Sequence, residues 1–460
     1  EGTRSWLDNL KLRLSYGMAG ADNIDASLWR ETWESTTVTF NGQTYSGYKP
    51  SGMLSNPDLK WETTISRNIG LDFGFFNNRL SGTIDAYWNT TKDLLMCIPI
   101  DETTGYSYQY QNIGQTSNKG IEIALNYDIL RTKDFTLGVS ATYNYNHNNI
   151  DELADNIIAQ YGSQWASNST TPTYDYEFRE GKSVGLIRGY ICDGYYTTAD
   201  FNYDPATQMY TLKPGVADLG TQVGNYPNHY NLPEGQVAFP GAIKLRDLDG
   251  NGVAGTEDVA DLGEITHPHT GGFNLNMTWK DIDFSAGFAW AAGGHVYNVN
   301  SLINMYGQKD IALGANKLEF ISDCYQIYDI QNGELVPVVE PDALDALNTG
   351  AKYGVPYMEN GTVLSTFVED ASFLRLNTLT IGYTFPKAWT KKIGMQRARV
   401  YATAGNLFTI TGYSGIDPEV NADPNKSTTA ANTGNYPLLG MDYGTYPRAR
   451  TFTFGVNITF

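Results

Sequence analysis

The residues most suited to chemistry in this chain form an acidic loop of 12 residues, Asp247–Asp258, with the sequence DLDGNGVAGTED. Oxygen-bearing side chains stand at its first, third and fifth positions, which are Asp247, Asp249 and Asn251. A glycine at the sixth position permits a sharp turn, and the backbone carbonyl of Val253 stands at the seventh. This spacing is typical of loops that surround Ca²⁺ with six to eight oxygens.

The end of the loop departs from the usual pattern in two ways. Asp258 stands at the twelfth position, where a longer glutamate is usual, and Gly255 offers no side chain at the ninth. We therefore predict a calcium site of modest affinity. The alternative is a turn rich in Asp, Asn and Gly that binds nothing.

Aromatic side chains are the second set of candidates. Flat rings beside Asn and Asp suit stacking on sugars and hydrogen bonding to hydroxyl groups, and peptides use the same surfaces. Aromatics near strand ends also serve as membrane-interface or loop-packing residues, so this alternative stays open. The predicted ligand-binding residues are Trp29, Trp33, Trp165, Tyr195, Tyr306 and Tyr413.

Catalytic patterns are weak in this sequence. His267 and His269 form half of a transition-metal pattern, but a surface pair is the simpler interpretation. His147 and His295 fall at the ends of predicted strands, which keeps a barrel hydrolase open as an alternative. The sequence contains no G-x-S-x-G, HExxH or CxxC motif. We expect a protein that is not an enzyme.

Composition narrows the class of protein. The chain has 460 residues and a formal charge of −19, from 31 basic and 50 acidic side chains. This balance argues against nucleic acid as a partner and against broad binding to an anionic surface. No run of 18 apolar residues predicts a transmembrane helix. Three widely spaced cysteines, Cys97, Cys192 and Cys324, indicate no disulfide framework.

The elements that must position these candidates are strands. The last ten residues, Thr451–Phe460, alternate between large apolar and small polar side chains, at about the length of a tilted membrane strand. The same period of two recurs in about ten segments. The other segments lie near residues 10–16, 61–75, 80–94, 121–129, 135–145, 273–279, 282–290, 379–385 and 398–404.

The connections alternate in length along the chain. Short turns near 76–79, 130–134, 279–282 and 386–396 alternate with long loops at 18–60, 95–118, 148–270, 294–372 and 408–447. Outer-membrane barrels have short periplasmic turns and long external loops. In a soluble β-sandwich, the alternative, short and long connections are not expected to alternate in this way. The pattern predicts an all-β transmembrane antiparallel β-barrel over 1–460, with extracellular long loops and a periplasmic C-terminus.

The amino-acid sequences of several segments resemble the SusC/RagA type of TonB-dependent outer-membrane transporter. The matching motifs are NPDLKWE at 56–62, GLDFGFFNNRLSG at 70–82 and NKGIE at 118–122. Further matches are FLRLNTLTIGYTFP at 373–386 and GNLFTITGYSGIDPE at 405–419, and 6–17 resembles a mid-barrel segment.

The resemblance implies the C-terminal part of a barrel of about 22 strands, with a plug and the remaining strands outside this chain. It implies TonB-dependent import of oligosaccharides for nutrient uptake, with a SusD-like lipoprotein as partner. It also implies an outer membrane of a Gram-negative, Bacteroidetes-like bacterium, with lipid and lipopolysaccharide around the barrel. Oligopeptide import and a surface adhesin are the alternatives, and a similar acidic loop in SusC-type relatives favours calcium.

Overall fold

The predicted strands form one sheet of ten strands in the computed structural model. The structure describes residues 6–21, 28–153, 159–161, 176–221, 223, 228–305, 318–357, 362–420, 440–442 and 445–460. In chain order the sheet contains β1 (Leu7–Ala21), β2 (Glu62–Phe75), β3 (Leu80–Lys92), β4 (Gln115–Arg131), β5 (Phe135–Glu152), β6 (His269–Trp279), β7 (Ile282–Ala292), β8 (Phe373–Thr384), β9 (Arg397–Thr411) and β10 (Thr451–Thr459).

The sheet is a meander, because every strand pairs antiparallel with its neighbours in chain order. Short turns join β2 to β3, β4 to β5 and β6 to β7, and left-handed residues close two of them: Asn77 and Asn78 have φ of 57°, and Lys280 has φ of 53°. The turn from β8 to β9 contains a short helix, Lys387–Thr390, and a 3₁₀ turn, Lys391–Ile393. Long connections follow β1, β3, β5, β7 and β9, as the sequence predicts.

One face of the sheet is apolar across all ten strands. Cross-strand pairing places Leu12 opposite Leu71, which in turn lies opposite Ile84. At the other edge of the same face, Ala402 lies between Ile381 and Phe454 of β10. These side chains are not covered by a second layer: Ile84 and Ile121, on interior strands, are 40% and 44% exposed, and Phe454 is 79% exposed. A β-sandwich would bury this face, so the sandwich alternative is excluded.

Aromatic side chains lie at both ends of the apolar face. At the end with short turns, the Trp6 and Phe75 rings stack at 5.7 Å. At the end with long connections, Tyr143 on β5 and Trp290 on β7 stack at 6.0 Å across Gly271. An added side chain at Gly271 would meet the Trp290 ring, so the glycine leaves room for this pair. Two aromatic belts around an aliphatic band are the pattern of a membrane barrel wall.

The largest hydrophobic core lies in the long connections. It contains Tyr196, Phe239, Leu302 and Leu364, each no more than 1% exposed, with many other residues of 176–368. The described residues of 148–270 and 294–372, which were predicted as long polar loops, therefore form a folded layer beside the barrel wall. The sequence did not reveal this core because its apolar residues follow no period of two or 3.6.

Small sheets build this layer. One sheet contains Ala159–Tyr161, Tyr176–Phe178, Leu186–Tyr190 and Val259–Glu264, and another contains Met53–Leu54, Leu95–Pro99 and Tyr108–Asn112. Two-stranded pairs join Trp33–Phe40 to Gln43–Pro50, Cys192–Tyr195 to Ile243–Leu245, Phe201–Asp204 to Met209–Leu212, His295–Tyr297 to Val368–Asp370, and Tyr328–Gln331 to Glu334–Pro337.

The α-helices are short. They are α1 (Val299–Met305), α2 (Pro341–Leu347) and α3 (Lys387–Thr390). Single 3₁₀ turns cover Glu102–Thr104, Thr198–Asp200, Thr256–Asp258, Glu319–Asp323, Ser365–Phe367 and Lys391–Ile393. Among the described residues, no helix has the length and apolar character needed to cross a bilayer.

Candidate functional site

The acidic loop folds into a compact turn around its own carboxylates. Asp247 accepts hydrogen bonds from the backbone N–H groups of Gly250, at 2.7 Å, and Gly252, at 2.8 Å. Both glycines adopt left-handed φ values of 75° and 93°, which side-chain-bearing residues rarely reach. These bonds, that from Gly252 above all, hold the pKa of Asp247 below its usual value, so the carboxylate stays ionised.

Asp258 closes the loop from within. It ends the 3₁₀ turn Thr256–Asp258 and is fully buried. Its Oδ1 accepts the N–H of Leu248 at 2.6 Å, and its Oδ2 accepts the N–H of Gly255 at 2.6 Å. A buried carboxylate held this way is fixed in position, which suits a ligand atom in a preformed site.

Three of the five predicted ligands converge. Carboxylate oxygens of Asp247, Asp249 and Asp258 lie within 4.8 Å of one another. Among the described residues, none of the three carboxylates forms an ion pair with a basic side chain. The other two predicted ligands lie in the same turn, where the side-chain oxygen of Asn251 accepts the N–H of Val253 at 2.8 Å. Clustered, uncompensated carboxylates favour a hard divalent cation.

The predicted aromatic platforms divide into two groups. Trp29 and Trp33 are 58% and 59% exposed at the base of the hairpin that follows β1, so their rings are accessible. Tyr195 is half-buried, packs against Tyr325 and donates its hydroxyl to the Ala351 carbonyl at 2.8 Å. Trp165 and Tyr306 lie outside the described residues.

Tyr413 is not an exposed platform, contrary to the prediction. It is 5% exposed, and its hydroxyl donates to Oδ2 of the buried Asp442 at 2.7 Å. Burial first, and then this hydrogen bond to a carboxylate, raises the pKa of Tyr413. Its role is to pack the connection after β9 onto the folded layer.

The histidines do not assemble a site. His267 contacts the Ala371 carbonyl through Nε2 at 3.2 Å, whereas the Nδ1 atom of His269 contacts the Tyr143 hydroxyl at 2.9 Å. His295 contacts the Glu264 carbonyl, and His147 is exposed. In the part of the chain that the structure describes, the one group of three metal-ligating side chains is the acidic loop.

A buried ion cluster at the long-connection end of β8 escaped the sequence analysis. Arg375 is 1% exposed; its Nη2 donates to Asp417 at 2.6 Å, its Nε to Thr409 at 2.9 Å, and its Nη1 to Glu419. Arg448, just before β10, contacts the same two carboxylates. The cluster joins both ends of the connection between β9 and β10 to the top of β8. The arginine of the segment FLRLN is thereby paired with both acids of the segment GIDPE.

The polar face of the sheet carries two further ion pairs with a common design. Arg13 on β1 reaches over Gly70 on β2 to Asp85 on β3, at 2.8 Å. Arg399 on β9 reaches over Gly382 on β8 to Asp283 on β7, also at 2.8 Å. In both, the middle strand has glycine where a side chain would collide with the pair. Ion pairs therefore link next-nearest strands across the predicted polar inner face.

This architecture defines a class of protein, and comparison with known families agrees. A model of the β-barrel of TonB-dependent receptor-like proteins matches residues 5–457. The chain therefore belongs to the TonB-dependent receptor β-barrel family, whose members reside in the outer membrane of Gram-negative bacteria.

Individual relatives include the receptor SusC. It is 30% identical over 453 residues to TonB-dependent receptor P3 of Formosa agariphila, covering 98% of this chain and 39% of the relative. It is 28% identical over 468 residues to TonB-dependent receptor SusC of Bacteroides thetaiotaomicron, covering 99% and 38%. The chain thus spans about two-fifths of the length of these relatives.

A solved structure shares the fold. The RagAB peptide transporter superposes with a TM-score of 0.67 at 24% identity, over 99% of this chain and 41% of that one. At this identity the likeness concerns the fold alone.

Proposed function

We propose that the protein containing this chain imports oligosaccharides across the outer membrane by TonB-dependent active transport. The observation that carries the proposal is the ten-stranded meander with an uncovered apolar face between two aromatic belts, in a chain of the TonB-dependent receptor family. This chain supplies barrel wall and a folded layer at the mouth, and a plug and further strands complete the barrel.

The side of the membrane follows from connection length. Short turns belong in the periplasm, so the folded layer is extracellular and β10 ends in the periplasm. In this orientation the layer provides the docking surface for a SusD-like lipoprotein, and the accessible Trp29 and Trp33 rings contact the ligand. These rings suit stacking on sugars, and peptides use the same kind of surface, so the identity of the copurified ligand decides between oligosaccharide and oligopeptide.

The function is tested by uptake in living cells. Cells with the intact transporter should take up the oligosaccharide that copurifies with the complex, and a TonB-deficient strain should not. A pull-down of the full-length transporter should also recover a surface lipoprotein. Ligand binding without any TonB-dependent uptake would instead identify an adhesin. Copurified peptide would show that the substrate is an oligopeptide.

We also propose that the acidic loop binds Ca²⁺ through Asp247, Asp249 and Asp258, with Asn251 and the Val253 carbonyl completing the set. The support is the convergence of three carboxylate oxygens without a basic partner among the described residues. Bound calcium would neutralise this charge and stiffen the layer where the loop follows Ile243–Leu245.

A further inference from the structure

The outward face of the barrel wall carries a row of basic side chains at its long-connection end. The row contains Arg67, Lys119 and His147 on β2, β4 and β5, together with Lys92 on β3, which lies four residues nearer the long connection than Trp88 at their level. Direct cross-strand partners fix its order: Lys119 lies between Trp88 and His147, and Arg67 lies opposite Tyr16. Partners across a pair point to one face, so these cations share the face of the apolar band.

The cations of this row differ from most others in the sheet. Lys11, Arg13, Arg375 and Arg399 each pair with a carboxylate. Within the described residues, Arg67, Lys92 and Lys119 form no ion pair, and Arg67 donates only a long hydrogen bond, of 3.4 Å, to Thr90. Lys92 and Lys119 are exposed.

Two acids lie beside the row. Asp93 follows Lys92 in the chain, and Asp151 acts electrostatically on Lys119. The Asp151 carboxylate is already engaged by Ser117 at 2.8 Å and by Asn149 at 2.8 Å. Arg67, Lys92 and Lys119 together outnumber these two acids, so the row keeps a net positive charge toward the membrane, although the chain as a whole is acidic.

The height of the row matches the border of a bilayer. Phe75 belongs to the belt at the short-turn end, and Arg67 stands eight residues farther along β2. At about 3.3 Å per residue and a tilt of about 40°, this places the guanidinium roughly 20 Å above that belt. The apolar band of such barrels is about 25 Å tall, so Arg67 lies just below its upper border, from which its long side chain reaches the headgroup region.

We infer that this row binds the phosphate groups of a phosphorylated glycolipid in the outer leaflet. Aliphatic and aromatic residues below the row would contact the acyl chains, and Trp88, flanked by Arg67 and Lys119, would lie beneath the sugar. The inference rests on the proposed outer-membrane function and on the proposed orientation, and it adds a lipid site that neither requires.

The test uses the full-length transporter purified from outer membranes in mild detergent. Mass spectrometry would measure lipid A bound per protein for the wild type and for the triple variant R67Q/K92Q/K119Q. We expect at least about a tenfold loss in the variant, because each cation near an anionic surface contributes to binding. The matched control K133Q/K280Q/K392Q removes three exposed lysines from the short-turn end and should retain wild-type lipid.

The outcomes separate the possible failures. Equal lipid A on the wild type and the triple variant overturns the inference while membrane insertion, shown by detergent dependence, stands. Loss in the control variant alone overturns the orientation. A thermal-shift arm compares lipid A with inorganic phosphate: stabilisation by lipid A alone supports a lipid site, and equal stabilisation by free phosphate overturns it. A wild type found in the soluble fraction would refute the proposed function itself.

Discussion

At the residue scale, the acidic loop was the part of the site that its local sequence could reveal. Its candidate ligands lie within 12 residues, so their spacing alone brings them together. The aromatic candidates were harder to assign. Tyr413 is buried and donates a hydrogen bond to Asp442, which lies 29 residues away in the chain. Exposure of an aromatic ring depends on what the rest of the chain places over it.

Calcium binding can be tested at Asp247. Replacing it by asparagine removes one negative charge and one strong ligand, so we expect calcium affinity to fall at least about tenfold. Calorimetric titration of the full-length protein measures this directly. Glu257→Gln is the matched control, because Glu257 stands at the eleventh position and is not a predicted ligand. Unchanged affinity in Asp247→Asn would refute the assigned ligand set.

The Arg375 cluster gives a second prediction at this scale. Arg375→Gln leaves the buried Asp417 without its closest cationic partner, and removing one member of a buried pair costs about 3–5 kcal/mol. Hydrogen exchange at residues 412–420 should therefore accelerate strongly. Arg448→Gln is the control: its side chain is 50% exposed, so a cost below about 1 kcal/mol is expected. Similar exchange in both variants would contradict a dominant role for Arg375.

At the element scale, the alternation of apolar and polar residues explains the strands, and a glycine on the middle strand makes room for each ion pair on the polar face. Period two predicted all ten strands of the sheet, because which face a side chain occupies is set locally. The ion pairs Arg13–Asp85 and Arg399–Asp283 could not be predicted from alternation alone. They depend on the pairing register of the strands, which places a glycine between the two charged residues.

Adding a methyl group to these glycines should weaken the barrel wall. In Gly70→Ala and Gly382→Ala the new carbon would collide with the tips of the paired side chains, which must shift to make room. We expect a lower melting temperature for the detergent-solubilised protein, with a loss of about 1 kcal/mol each, the low end of overpacking costs, because the ends of these side chains can move. Gly17→Ala on the same face of β1 has open space around it and should change little.

The small sheet of the folded layer supplies a pH-dependent prediction. Burial by itself would raise the pKa of Asp261, but hydrogen bonds from Lys182, Arg188 and Arg179 outweigh it and lower the pKa to about 2. A lowered carboxylate pKa adds stability that is present above about pH 4 and is lost as pH falls toward 2.

We expect Asp261→Asn to loosen this sheet by about 1–3 kcal/mol at pH 7. Hydrogen exchange at Leu186–Tyr190, the strand that pairs with Val259–Glu264, reports the opening. Repeating the comparison at successively lower pH should shrink the difference. A difference that stays constant down to pH 2 would show that the ion pairs are not its source.

At the scale of the whole molecule, the two faces of the sheet assign lipid and lumen. Ile84 points to the apolar face and is 40% exposed, whereas the adjacent Thr83 points to the polar face. Ile84→Lys should lower the stability of the folded barrel by about 2–4 kcal/mol near the bilayer midplane and reduce its assembly in the outer membrane. Thr83→Lys, the matched control, should assemble normally; heat-modifiable mobility on gels distinguishes folded from unfolded barrel.

By itself, the sequence determined the strands, the alternation of short and long connections and the acidic loop. Each of these depends on residues close together in the chain. The tertiary structure decided that the long connections pack into a hydrophobic core, that Tyr413 is covered and that Arg375 joins three segments. Such features depend on contacts between distant residues with no repeating spacing, so only the folded chain brings them together.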